Sequence, residues 1–399
     1  MTDERGAVAW MRRNLFANRR DTVLTIIAGI VVGFVAYRAL RFVFVTGRWT
    51  IIRDNLSLFM VGRYPRDELW RLALAVMAIG FAGGAVAGVV ARRRADAGQV
   101  DERNAWERGR DVVLRTWPVL VVVLLLLLLA NTITPWLVAL GVLVAIVLGR
   151  LLGRALGRRA GLVLVAVAAA VPVVLLPALA APLGWDEWGG LMLTMFIAVV
   201  AMVACFPLGV LLALGRRSSL PALRALSISF VEFFRGVPLV VLVLMSTTAL
   251  GFFFPQDLLP GRIVRVTVAF TIFTAAYVAE IVRGGLQSVP RGQTEAAQAL
   301  GLGPWRVTTF IVLPQALRNV IPALVGQFIS LFKDTTLVFV IGILDLLSVA
   351  ENVTTQPDFR GQALLPETFV FAAMLFWVGA YTMSRESQRL EARLGVGQR

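Results

Sequence analysis

The sequence contains no histidine, a single cysteine and a single lysine. Without histidine it has no imidazole acid or base, no Ser-His-Asp triad and no histidine zinc site. The one cysteine, Cys205, lies in an apolar run, so neither a disulfide framework nor a thiolate metal site is expected. These absences predict a chain with no catalytic residues and no metal site.

The only lysine, Lys333, also excludes an ATP-binding P-loop. Such a loop requires a lysine followed by serine or threonine, and Lys333 is followed by Asp334. We therefore expect no cofactor bound by this chain, and any ATP that drives it must be bound by a partner.

Charged residues are scarce as well, at 16% of 399 residues, whereas 58% are hydrophobic. A soluble domain of this size carries about 25% charged residues, so the composition predicts an integral membrane protein in contact with lipid. The formal charge of +15 comes from arginines that cluster between apolar runs. That pattern orients membrane proteins, and it disfavours nucleic acid as a partner.

The apolar runs predict an all-α, polytopic protein with about ten transmembrane helices. The first run is long enough to span and is read as an uncleaved helix rather than a signal peptide. Two runs within residues 116–152 are short for about 20 spanning residues, so the alternative is a re-entrant hairpin and eight spans. The predicted spans are 22–45, 69–90, 116–130, 135–152, 161–181, 190–215, 227–250, 263–282, 320–344 and 366–383.

The spans divide into a long N-terminal extension and a more evenly spaced core. Residues 1–188 are the extension, with an outer loop at 46–69 whose residues 56–62 suit an interfacial helix, and an inner loop at 92–115. Arginines concentrate in alternate loops, and the side that they mark is expected to be the cytoplasm. This rule places both termini and the loop at 284–319 inside. The core covers residues 189–384, and residues 385–399 form a tail.

The loop at 284–319 is polar and punctuated by glycine. Residues 293–300 favour a helix, Gly301 suits the positive φ beyond its C-terminus, and Gly303 with Pro304 suits the start of a second helix. We predict two short helices that meet at this glycine corner. Val307, Phe310, Ile311 and Pro314 recur at helical spacing and predict one apolar face, for docking a partner or for packing on the protein itself.

Three sets of charged residues are further candidates. Glu232 with Arg235, and Glu280 with Arg283, are spaced for ion pairs that secure helix ends, with direct coupling as the alternative. Lys333 and Asp334 stand inside the predicted span 320–344, where a charge costs about 3 kcal/mol. Together with Thr335 they are predicted to line a transport path or a subunit interface, unless they mark a structural kink.

The loop resembles the cytoplasmic signature of ATP-binding-cassette (ABC) importer permeases. Glu295-Ala296-Ala297 is followed after three residues by Gly301, and after nine more by Ile311-x-Leu313-Pro314. Motifs beginning at Glu232, Tyr277 and Phe332 are similar to those of the polar amino acid uptake branch of that family. Residues 1–188, including the stretch Gly62-Arg63-Tyr64-Pro65, resemble the longer permeases of general L-amino acid importers.

This resemblance implies a five-helix permease core in a bacterial inner membrane. Two ATPase subunits would dock beneath it, a second, non-identical permease subunit would complete the path, and an external amino acid-binding protein would deliver substrate. Residues 295–301 would form a hinge and residues 303–314 a docked lever in alternating access. The alternative is a secondary, ion-coupled amino acid transporter, which predicts two repeated halves that the sequence does not show.

Overall fold

The structure, a computed structural model, describes residues 10–11, 14–98, 105–130, 132–156, scattered positions between 160 and 184, 187–253, 255 and 259–395. Within these residues the secondary structure is helical apart from one isolated bridge between Gly190 and Asp345. The prediction of an all-α protein is therefore confirmed. The chain divides into two compact units, Met1–Thr50 and Ile51–Arg399.

The first unit is built on a single long helix, α1, which covers Arg19–Arg41 and continues as a π-helical turn over Phe42–Thr46. Its N-cap is Asn18, whose side chain accepts a hydrogen bond from the Asp21 backbone N–H at 2.9 Å. The run Arg19–Thr46 is long and apolar enough to cross a membrane, and none of its most apolar stretch is buried. The predicted first span is thus present as a helix.

The second unit contains an N-terminal group of helices and the core. The N-terminal group consists of Thr50–Asp54, Leu56–Val61, a 3-10 turn at Arg66–Glu68, α2 (Leu69–Asp96), α3 (Ala105–Leu129) and α4 (Thr134–Ala155). The core consists of α5 (Gly190–Gly215), α6 (Pro221–Gly236), α7 (Leu239–Thr248), a short turn Leu250–Phe253, α8 (Arg262–Ser288), α9 (Arg291–Ala299), Pro304–Arg306, a π turn Val307–Val312, α10 (Leu313–Asp334), 3-10 turns at Thr335–Ile341 and Val353–Thr355, α11 (Leu346–Asn352) and α12 (Leu365–Leu394).

In the described part of the chain, seven helices qualify by length and composition as membrane spans, or eight with the bent pair α6–α7. The predicted count of ten is therefore not confirmed. The apolar part of α3, Thr116–Leu129, is shorter than the others, and α3 begins inside the predicted inner loop. The predicted span at 161–181 lies outside the described residues apart from scattered positions.

Helices α2 and α4 pack in parallel through two pairs of glycines spaced four apart. A side chain at Gly84 or Gly88 would collide with the backbone of α4, at Ile146 and Arg150 respectively, and one at Gly149 would collide with Phe81 of α2. Small residues allow membrane helices to approach this closely. Because parallel helices begin at the same end, α3, which lies between them in the chain, is expected to run in the opposite direction, which disfavours the re-entrant hairpin.

The core is organised around α8, which packs along α5 and α10. Gly209 of α5 fits against Val278, and Gly285 of α8 fits against Ala316 and Val320 of α10. Helices α5 and α8 run in parallel, since their first halves share one buried cluster and their second halves another. Helix α10 returns in the opposite direction, as the positions of Gly285 and Ala316 near opposite ends of their helices require.

One end of the second unit carries arginines at the ends of several helices, and we call it the arginine-rich end. Helix α2 ends with Arg92, Arg93 and Arg94, and Arg92 Nη1 donates to the carbonyl oxygens of Arg154 and Ala155 at 3.0 and 2.7 Å. Helix α5 ends at Arg216 and Arg217. These arginines fall in three of the loops that the sequence assigns to one side.

The opposite end is closed by the outer loop. The helix Leu56–Val61 has the extent predicted for an interfacial helix, but Phe59 is completely buried and meets Phe371 edge-to-face at 5.1 Å. The Phe59 side of this helix therefore packs on the core, and its position at a membrane surface stays a prediction. This packing accompanies a long-range contact: Gly62 lies backbone to backbone against Gly189, where neither residue has a side chain to keep them apart.

This contact belongs to a larger backbone seam, defined by Gly62, Gly189, Gly190 and Leu344. The Gly190 backbone N–H donates to the Leu344 carbonyl at 2.8 Å, and the neighbouring Asp345 carboxylate caps α11. Burial raises the pKa of Asp345, while hydrogen bonds from the Ser348 hydroxyl and backbone N–H groups oppose that rise. The seam joins the outer loop to the starts of α5 and α11.

Candidate functional site

The candidate site is the polar loop after α8, and we call residues 291–314 the coupling segment. Its first helix, α9, ends in a complete glycine C-cap: the Leu302 N–H donates to the Ala297 carbonyl at 3.2 Å, and the Gly301 N–H to Gln298 at 2.9 Å. Gly301 has a φ of +77°, a conformation that glycine adopts without strain. The predicted glycine corner is confirmed, with Gly303 as the next N-cap and Pro304 at the first helical position.

The second half of the coupling segment differs from the prediction of a short helix. Helical backbone runs from Pro304 through the π turn Val307–Val312 into α10 without a break. A π turn inserts an extra residue and so shifts the helical register. The four residues predicted to share a face are consequently divided, with Val307 buried, Ile311 half-buried, and Phe310 and Pro314 exposed.

The coupling segment is anchored to the core by a few side chains. Ala297 and Val307 are buried in the cluster that also contains Val282 and Val320. Outside that cluster, Asn319 Nδ2 of α10 donates to the Ser288 hydroxyl at 3.0 Å. Of the other residues in the signature, Leu313 is half-buried, whereas Glu295, Ala296, Gly301, Gly303 and Pro304 are exposed.

Around these anchors the segment exposes three large apolar side chains, which we call the apolar tip: Leu300, Trp305 and Phe310. Their exposed fractions are 82%, 73% and 67%. Leu300 and Trp305 were not among the predicted site residues. A tryptophan directly after Gly-Pro in an otherwise polar loop is the sequence signal that could have identified Trp305.

The charged candidates form one cluster rather than two local pairs. Arg283 binds Glu280 as predicted, with Nη2 at 2.8 Å from Oε2. Arg235, however, also reaches Glu280, at 3.7 Å, and Glu232 pairs with Arg216 at 3.2 Å. Arg216 also contacts Glu280 directly. The predicted pair of Glu232 with Arg235 is replaced by these contacts because α6 packs against α8 and α5, which carry Glu280 and Arg216 within reach.

Lys333, Asp334 and Thr335 stand where α10 gives way to the 3-10 turn Thr335–Ile341. The neighbouring Phe332 packs on Gly379, midway along α12, so this change of helix type occurs within the depth of the helix bundle. Lys333 is exposed, Asp334 is half-buried and accepts a bond from the Ser330 hydroxyl at 3.3 Å, and the Thr335 hydroxyl donates to the Phe332 carbonyl at 2.7 Å. The sequence offered two alternatives for these residues, a kink and a path lining. The change of helix type at Thr335 fits the first, and the exposed cation of Lys333 fits the second.

A search of the described residues finds no group of three or more His, Cys, Asp or Glu side chains that could hold a metal ion. The features that stand out are instead an exposed apolar tip, a partly buried charge cluster and a cation inside a span. These are features of docking and conformational movement.

Comparisons with known proteins agree with this description. Residues 205–395 match the sequence profile of the family described as "Binding-protein-dependent transport system inner membrane component". The chain is 34% identical to the glutamate/glutamine/aspartate/asparagine transport system permease protein BztC of Rhodobacter capsulatus, over 98% of this chain and 94% of that protein.

Two further relatives match about half of this chain. The inner membrane amino-acid ABC transporter permease protein YhdY of Escherichia coli is 47% identical over 53% of this chain and 57% of its own length. The probable glutamine ABC transporter permease protein GlnP of Bacillus subtilis is 35% identical over 52% of this chain and 92% of its own length. These likenesses support an importer permease over a secondary transporter. The chain belongs to the family of binding-protein-dependent transport system inner membrane components, the permease subunits of ABC importers.

Proposed function

We propose that this chain is a membrane-spanning subunit of an ATP-driven importer of L-amino acids, and that its coupling segment docks the ATPase subunits. One observation carries the proposal: the family signature folds into a segment that is anchored at Ala297 and Val307 and exposes the apolar tip around those anchors. A patch of large apolar side chains in water is unfavourable unless a partner covers it. A short helix with such residues fits the groove of a partner protein.

The distribution of charge supports this assignment of sides. The arginine-rich end lies with the end of α8, from which the coupling segment continues, because Arg217 Nη1 donates to the Leu286 carbonyl at 3.4 Å. Arginine-rich loops remain in the cytoplasm. The coupling segment therefore faces the compartment that holds ATP, and the seam faces the outside, where a binding protein delivers substrate.

The proposed path runs beside α10. One side of this helix presents small or polar residues at exposed positions: Asn319, Ala323, Gly326, Ser330 and Lys333. A charged or polar side chain within a span faces water or protein rather than lipid. We infer that this side, with Asp334 at its end, lines the path shared with a second, non-identical permease subunit, where Lys333 attracts the carboxylate of an amino acid. Thr335, which the sequence also predicted for the path, is completely buried and bonds to Phe332 instead.

Reconstitution tests the whole proposal. The chain is co-purified with its ATPase and second permease subunits and placed in proteoliposomes with an external binding protein. We expect uptake of labelled L-amino acids such as glutamate or glutamine to require both ATP and the binding protein. Uptake that follows an ion gradient and is indifferent to ATP would instead establish a secondary transporter.

Replacement of Trp305 by alanine tests the docking site. The matched control is Trp106→Ala, because Trp106 is 79% exposed at the start of α3, outside the coupling segment. Removal of an exposed aromatic anchor weakens an interface by about 2 kcal/mol or more. We expect Trp305→Ala to lower affinity for the ATPase subunit at least about tenfold, with normal insertion, and Trp106→Ala to leave it unchanged. Equal affinity for both variants would contradict docking at the tip.

A further inference from the structure

Five residues near the arginine-rich end form what we call the Glu280 cluster: Glu280, Glu232, Arg216, Arg235 and Arg283. The carboxylate of Glu280 contacts guanidinium groups from three helices, with Arg216 following α5, Arg235 in the last turn of α6 and Arg283 on α8. The exposed fractions of the Glu280 and Arg216 side chains are 16% and 15%, against 59% for Glu232. Glu280 is therefore the centre of the cluster, and Glu232 lies at its edge.

Arg235 occupies a special position in this cluster, because it directly precedes the break between α6 and α7. After Gly236, the last residue of α6, Val237 and Pro238 separate the two helices, which meet at 100°. The guanidinium of Arg235 lies over the ring of Tyr277, 5.5 Å from its centroid, and 3.7 Å from Glu280. Tyr277 and Glu280 are one turn apart on α8, so two contacts hold the corner of the bent span to one face of α8.

The same stretch of α8 leads into the coupling segment. Glu280 is two turns before the end of α8 at Ser288, and that end is held by Arg217 at the Leu286 carbonyl and by Asn319 at Ser288. Gly285 lies directly against Ala316 and Val320 of α10. A displacement of the coupling segment must therefore move the end of α8, and with it Glu280.

Glu280 is the residue whose negative charge holds the arginines of the cluster together. The cluster holds three guanidinium groups and two carboxylates, and Glu280 touches all three guanidinium groups. Without its charge, three arginines would remain close together in a half-buried place, and removal of one partner of a partly buried ion pair leaves charge that solvent compensates only in part. The exposed Glu232 touches Arg216 alone in the ion pairs described. Its loss leaves the centre of the cluster intact.

We propose that Glu280 is a positioning residue that ties the corner of the bent span α6–α7 to α8, so that movement of the coupling segment is transmitted to that corner and opens or closes the transport path. The inference rests on the proposed function. It adds a mechanical role to a cluster that could otherwise serve only to secure helix ends.

The test compares Glu280→Gln with the control Glu232→Gln in the assembled transporter. Both replacements keep the side-chain shape and remove one charge. We expect Glu280→Gln to leave ATP hydrolysis within about twofold of the native rate while amino acid uptake falls at least about tenfold. Glu232→Gln should keep both activities. A merely structural role would lower uptake and hydrolysis together.

Two further variants keep the test informative if the Glu280→Gln protein fails to insert into the membrane. Glu280→Asp retains the charge on a shorter side chain and should restore part of the uptake per ATP hydrolysed, and Arg235→Ala should uncouple in the same way as Glu280→Gln. Normal uptake per ATP in Arg235→Ala, or a parallel loss of uptake and hydrolysis in the inserted variants, overturns the inference. Failure of the proposed function is distinguishable, because the native transporter itself would then show no ATP-dependent uptake.

Discussion

The two ends of the core are held together by different kinds of contact. At the seam, backbone lies on backbone, with Gly62 against Gly189 and the Gly190 N–H bonded to Leu344 at 2.8 Å. At the arginine-rich end, long charged side chains from three helices meet at Glu280, and the apolar tip is left exposed. The backbone groups that join the seam have no freedom to rearrange, whereas the long charged side chains at the arginine-rich end do.

This difference indicates where movement takes place. A packed backbone contact has one arrangement, because even a small separation forfeits its van der Waals and hydrogen-bond energy. An arginine cluster can exchange partners as helices shift by a few ångströms. We therefore expect the seam to act as the fixed end of the core, and the arginine-rich end to follow the ATPase subunits.

The largest expected loss of stability comes from a side chain placed in the seam. Gly62→Ala should destabilise the protein by about 2–4 kcal/mol, because it combines an unfavourable positive φ with a collision against Gly189. The midpoint temperature of unfolding in detergent measures this loss. Gly98→Ala is the matched control, because Gly98 has a φ of +72° with nothing within 4 Å of the added Cβ.

The Gly98→Ala control measures what it costs to place alanine at a positive φ where no collision occurs. Gly98→Ala should cost about 1 kcal/mol, so the difference between the two variants reports the collision together with the strain of the Gly62 backbone, whose ψ is −136°. If both variants lost the same stability, the seam would have room for a side chain, and the contrast between the two ends would fail.

A smaller loss of stability is expected when a glycine between α2 and α4 is replaced. Gly84→Ala places a methyl group against the Ile146 carbonyl. Gly83→Ala, at the preceding position of the same helix, meets nothing within 4 Å. Overpacking costs about 1–3 kcal/mol, so Gly84→Ala should lower the unfolding midpoint while Gly83→Ala leaves it unchanged or raises it. The reverse order would show that this helix pair is not packed through its glycines.

The smallest effect is expected at the arginine-rich end. Tyr277→Leu removes the ring under Arg235 and should cost about 0.5–1 kcal/mol, since the Glu280 contact remains. Tyr277→Phe keeps a ring and should be close to neutral. A loss from Tyr277→Leu as large as that from Gly62→Ala would mean that this end is as rigid as the seam.

Much of the fold follows from local sequence signals. Hydrophobic runs locate α1, α2, α4, α5, α8 and α12 because a spanning helix needs about 20 apolar residues. Gly301, Gly303 and Pro304 locate the glycine corner because helix ends require those residue types. Family resemblance, rather than periodicity, identified the coupling segment as a site.

Other features depend on contacts that no single stretch encodes. The sequence predicts one span over 227–250, whereas the structure divides it between α6 and α7 with a bend of 100°. The contact of Arg235 with Glu280 depends on the packing of α6 against α8. The π turn at Val307–Val312 has no simple sequence signal, so the division of the predicted apolar face was not foreseeable. Burial of Phe59 required knowledge that Gly62 meets Gly189, 127 positions away in the chain.

The central claim is tested most directly by two distances measured by electron paramagnetic resonance in the assembled transporter, with and without trapped ATP. In a Cys205→Ala background, one spin-label pair at Arg63→Cys and Pro357→Cys reports the seam end, and a pair at Leu226→Cys and Gln298→Cys reports the arginine-rich end. We predict that ATP leaves the first distance unchanged and shifts the second by several ångströms. A shift at the seam with a constant distance at the arginine-rich end would contradict the account.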